Sequence, residues 1–157
     1  MKPTPKFAIA VSIALVLLLV GAVAFNVLAP PGQLKLKVKW KPVNYILNDP
    51  PPNPWIAEIY FAPLRDLNQI DTSTLLLEGM YTPSGTPYLL SGTPPRLAVP
   101  FNGADVLRAL MSKTPHLAPG EYRISLEISG NLKTEYGGTA FSGTGGINLL
   151  VPPISPP

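Results

Sequence analysis

From residue 34 the chain alternates with a period of two: Leu34, Leu36, Val38 and Trp40 fall on one side, Lys35, Lys37, Lys39 and Lys41 on the other. That rhythm predicts a half-buried strand with a lysine row turned to water. The row has two readings. Lysines protect a free sheet edge against pairing with a neighbour, or they form a basic face for anionic lipid headgroups or an acidic surface polymer. Further strands are predicted at 55–61 (WIAEIYF), 73–79 (STLLLEG), 96–101 (RLAVPF) and 146–151 (GINLLV). In EYRISLEIS, Tyr122, Ile124, Leu126 and Ile128 point inward while Glu121, Arg123, Ser125, Glu127 and Ser129 point outward. One stretch, NGADVLRALMSK, changes period: Asn102 can cap a helix whose apolar face is Val106, Leu107, Leu110 and Met111. Strands at this spacing, broken by turn residues, predict an all-β antiparallel sandwich with one short helix.

Within it, Pro119-Gly120 precedes a strand with Tyr122 at its mouth. The arrangement resembles the tyrosine corner of immunoglobulin-like Greek-key domains, in which the hydroxyl ties back to nearby backbone. A wider resemblance covers roughly residues 55–152, through IDTSTLLLEG, LAVPFNGADVLRAL, GEYRISLEISGNL and GTAFSGTGGINLL. In order and spacing these are similar to an immunoglobulin-like module of bacterial and archaeal secreted and surface proteins, often found near dockerin-type repeats. The resemblance implies an extracellular sandwich without enzymatic chemistry, and brings no catalytic residues. Between Tyr81 and Arg96 the chain departs from that pattern, with YTPSGTPYLLSGTPPR where many members carry an Asp-rich calcium-type loop. Structural roles are expected for Tyr122, Trp40 and Trp55, and a candidate interaction stripe in Lys35, Lys37, Lys39 and Lys41.

Ahead of the domain, residues 7–25 contain no charged side chain. As a helix they would span about 28 Å, the thickness of a bilayer core. Residues 1–6 form a short tail, 7–29 a transmembrane anchor or signal segment, 30–33 a Pro/Gly linker, 34–152 the sandwich and 153–157 a Pro-rich tail. Length favours a retained anchor, since signal cores are shorter. Ala22-Val23-Ala24 is nevertheless a small-x-small cleavage pattern. Lys2 and Lys6 before the segment send the domain outward, while the four lysines after it count the other way.

Composition removes several alternatives. Of the twelve basic residues two precede the apolar run, leaving ten against nine acidic ones, so no electrostatic footprint for nucleic acid exists. There is no cysteine, and the single histidine, His116, sits in a Pro-Leu turn without an obvious orienting partner. No nucleophile elbow, phosphate-cradling loop or zinc-helix motif occurs. Glu121 and Glu127 lie about 20 Å apart along a strand, too far to act as an acid–base pair. Asp66 and Asp71 lack the dense oxygen set of a calcium loop. Neither enzyme activity nor a cofactor is expected.

The expectation is a single-pass membrane protein with an extracytoplasmic module of structural or protein-interaction role, of the kind that serves as an accessory subunit of an envelope complex. Its partners would be the bilayer through 7–29 and a protein or a second copy at the cell surface. The alternative is a secreted filament subunit, released by cleavage after Ala24, whose new N-terminus adds as a strand to a neighbour's sheet.

Overall fold

The computed structural model describes residues 34–153. The expected tail 1–6, membrane segment 7–29 and linker 30–33 lie outside the described residues, as do residues 154–157 of the Pro-rich tail. Among the described residues no helix is long and apolar enough to cross a membrane.

The fold is mostly β, a curled sheet with one helix. In chain order the elements are β1 (Leu34–Lys41), β2 (Asn44–Ile46), β3 (Trp55–Phe61), β4 (Ile70–Leu77), β5 (Tyr88–Leu90), β6 (Arg96–Phe101), α1 (Gly103–Lys113), β7 (Gly120–Leu132) and β8 (Ala140–Val151). The strands lie in the order β4-β7-β8-β1-β3-β6-β5, with β2 also paired to β8. The joint is β1. Its first two residues run parallel to β8, Leu34 opposite Phe141 and Lys35 opposite Ser142. From Leu36 to Lys41 it runs antiparallel to β3.

The expectation of a purely antiparallel arrangement is therefore corrected at two short ladders. One is the β1–β8 start; the other is Asn44–Ile46 alongside Asn148–Leu150. Both arise because the N-terminal strand leaves β8 to join β3 and the chain returns to β8 at β2. From Leu36 to Lys41 β1 pairs with β3 alone, so this stretch is the outer strand of the β1-β3-β6-β5 sheet, in keeping with the edge reading of the lysine row.

Why the two halves meet so closely is written in β8. Its inward positions opposite Ile128 and Leu126 are Gly143 and Gly145. A Cβ on Gly143 would stand 2.1 Å from the Leu36 carbonyl oxygen, and one on Gly145 2.7 Å from that of Val38. Only glycine lets the β1 backbone cross there.

Inward side chains from both halves fill the core: Leu36 and Trp40 of β1, Trp55, Ala57, Ile59 and Phe61 of β3, Leu97, Val99 and Phe101 of β6, with Ile124, Leu126 and Ile128 of β7. Phe61 meets Phe141 edge-on at 5.4 Å between centroids, joining β3 to β8. Trp40 and Trp55, both expected in the core, are fully buried. The Trp40 indole N–H donates to the Gly145 carbonyl at 3.1 Å, and that of Trp55 to Pro42 at 2.9 Å. Helix α1 is capped as expected, the Asn102 side chain accepting from the Ala104 N–H at 2.8 Å. Its buried face comprises Val106, Ala109 and Leu110, with Leu107 packed at the margin.

Three boundaries differ from expectation. β4 begins at Ile70 and ends at Leu77, because Glu78 and Gly79 take left-handed backbone angles of 51° and 69° and turn the chain. β7 and β8 form a ladder twelve pairs long, so β8 begins at Ala140 rather than at the expected Gly146. The turn itself is confined to residues 133–139. No strand was predicted for the segments that form β2 and β5.

Candidate functional site: a basic face on the sheet

Lys35, Lys37, Lys39 and Lys41 are all exposed, on the side of β1 opposite to Leu36 and Trp40. Register carries this face onto β3, where Lys41 is opposite Ile56, Lys39 opposite Glu58 and Lys37 opposite Tyr60. It continues across Pro100 and Ala98 of β6 to Tyr88 of β5. Arg96 extends from the same face of β6. The result is a row of lysines bordered by Tyr60, Tyr88, Ile56 and Pro100, with a single carboxylate among them.

That carboxylate is Glu58, and it is buried. Lys41 reaches one of its oxygens at 2.5 Å and Arg96 the other, also at 2.5 Å. Burial alone pushes the Glu58 carboxyl up. The hydrogen bond and charge of Lys41, joined by those of Arg96, outweigh it and hold the group below the usual glutamate range. Glu58 thus fixes two cations from beneath and is used up in doing so. Among the described residues no carboxylate pairs with Lys35, Lys37 or Lys39.

Glu58→Gln leaves Lys41 and Arg96 without their counter-charge. We expect it to cost about 2 kcal/mol at neutral pH, less than a wholly buried pair because the Lys41 side chain is 53% exposed. The folded-state pKa is lowered, so this stability is complete above the unfolded value of about 4.3 and is lost as pH falls through the folded value. Urea midpoints of wild type and variant should differ at pH 7 and converge on acidification below about 4. A gap of constant size across that range contradicts the assignment.

The other residues singled out from the sequence are dispersed. The Tyr122 hydroxyl donates to the Ala118 carbonyl at 2.9 Å, four residues back. His116 is exposed in the loop after α1. Asp66 accepts from the Asn68 N–H and Asp71 from the N–H and hydroxyl of Ser73, so each carboxylate closes its own local turn. Among the described residues no group of three His, Asp or Glu side chains comes together as a metal site would require.

An open cleft of about 810 Å³ runs between the 42–52 segment and the ends of β7 and β8. Tyr45 and Tyr122 line it, but their hydroxyls are committed to backbone carbonyls, Tyr45 to that of Asp49 at 2.5 Å. Burial, reinforced by the Asp49 charge, raises the Tyr45 phenol above its ordinary value. Both groups hold the fold and offer little to a ligand.

No family model, curated protein or solved structure matches the chain.

Glu58 and Arg96 were missed in reading the sequence. The signal was present: a lone glutamate in the middle of WIAEIYF needs a cation from a neighbouring strand if that strand is buried on both faces.

Proposed function

We propose that this chain is a membrane-tethered, non-enzymatic interaction module: an immunoglobulin-like sandwich held at the outer face of a bilayer by residues 7–29. The strand order supports the finer fold reading. Taking β1, β3, β6 and β5 as one sheet and β8, β7 and β4 as the other, with β1 shared, gives the Greek-key order of that class. The Tyr122 hydroxyl bound four residues back supports it as well.

The observation that carries the functional reading is the lysine row, in which Lys35, Lys37 and Lys39 have no carboxylate partner among the described residues, on a strand that begins at Leu34, five residues after the apolar segment ends. A face of that kind serves recognition of a charged partner. The filament alternative draws less support. Residues 34–41 are paired to β3 and β8 of their own chain, so only residues before Leu34 could be donated to a neighbour.

Alkaline carbonate extraction of native membranes, followed by intact mass and N-terminal sequencing, tests the proposal. The expected result is a chain of 16.8 kDa retained in the bilayer. A soluble chain beginning near Phe25 overturns it.

A further inference from the structure

We propose that the basic face of β1, β3 and β6 docks on the anionic headgroups of the bilayer to which the chain is tethered. The inference rests on the reading of residues 7–29 as an anchor.

Four features point to a lipid surface. The first is charge: the face carries Lys35, Lys37, Lys39, Lys41 and Arg96 against Glu58 alone, and Glu58 is already bound by two of them. The second is geometry. Alternate strand residues are about 6.8 Å apart, so the three free ammonium groups lie along roughly 14 Å of one surface and can meet a plane together. The third is the border. Tyr60 is half-buried and Tyr88 is 50% exposed, side chains with an apolar body and a polar tip that suit the headgroup region. The fourth is reach. Six residues separate Ala29 from Lys35, so the first lysine is held within about 22 Å of the point where the apolar segment ends. That distance is only a few screening lengths of about 8 Å, so the tether brings the row into the lipid field repeatedly.

Each lysine near an anionic membrane surface favours docking about fivefold, so the three free ones together favour it on the order of a hundredfold. Glu58 has a part in this. By holding Lys41 and Arg96 in place it removes the one negative charge that would oppose the surface.

The test uses the full chain reconstituted in vesicles of phosphatidylcholine alone or mixed with phosphatidylglycerol. Amine acetylation is read lysine by lysine, with Lys113 of α1 as the internal reference. Docking predicts that labelling of Lys35, Lys37 and Lys39 falls about tenfold or more on the anionic vesicles, and that 1 M salt restores it. K37Q should return labelling of the other two by about fivefold. Equal labelling on both vesicles, with the chain resisting carbonate in each, overturns docking and leaves the anchor standing. A chain stripped from both by carbonate overturns the anchor and the docking built on it. Protection by a soluble polyanion, but not by anionic vesicles, overturns the lipid assignment in favour of an acidic polymer.

Discussion

Gly143→Ala should destabilise the domain by about 3 kcal/mol or more, roughly 2 M in urea midpoint. The added methyl would lie 2.1 Å from the Leu36 carbonyl oxygen and 2.6 Å from its carbon. Both are backbone atoms, so no rotamer change relieves the clash. β1 must move away from β8, and Leu36, 4% exposed, leaves the core with it. A domain with stability in the ordinary range of about 5–15 kcal/mol would lose a large fraction of it. Gly138→Ala is a useful comparison: that glycine lies in the turn before β8 with nothing within 4 Å of a Cβ, although its φ of 58° carries a small conformational cost. If the two variants melt alike, close approach of β1 is not what Gly143 serves.

Trp40→Ala is expected to have an effect of the same order, about 4 kcal/mol. The indole is fully buried beside Phe101, with centroids 6.0 Å apart, and it bonds the Gly145 carbonyl across the joint between the two halves. Two variants separate its contributions. Trp40→Phe keeps most of the apolar volume and forfeits the hydrogen bond, so it should lose about 1–2 kcal/mol. The urea unfolding curves of the two variants should therefore lie well apart. Coincident curves would mean that volume in this part of the core matters little.

How far the sequence disclosed all this depends on the element. β1, β3, β6 and residues 121–129 of β7 were legible because apolar side chains recur at their inward positions. The first half of β8 was not legible. Its inward positions include Gly143 and Gly145, so the alternation is erased where the strand is most tightly packed. β2 has a single inward side chain, Tyr45, next to a proline-rich run. β5 is three residues long and exposes Tyr88 and Leu89 at the rim, so neither burial nor length announces it. In the candidate site the lysine row was plain from sequence. Its place beside β3 and the Glu58 clamp under it depend on which strands become neighbours, which is a long-range fact. Thirty-eight residues separate Glu58 from Arg96, and no local pattern connects them.

The shared strand β1 has a mechanical consequence. Because it runs parallel to β8, the described chain starts at one end of that pair and finishes, after Val151, at the other. A pull between the two ends therefore acts along the strand axes. The contacts that β1 makes, with β8 at its start and with β3 over six successive pairs, are strained sideways and together, with no single bond at a fork to fail first. Strands joined in this way resist stretching until many bonds break at once. A domain whose first and last strands are side by side can carry tension through that seam while the rest of the fold stays unloaded.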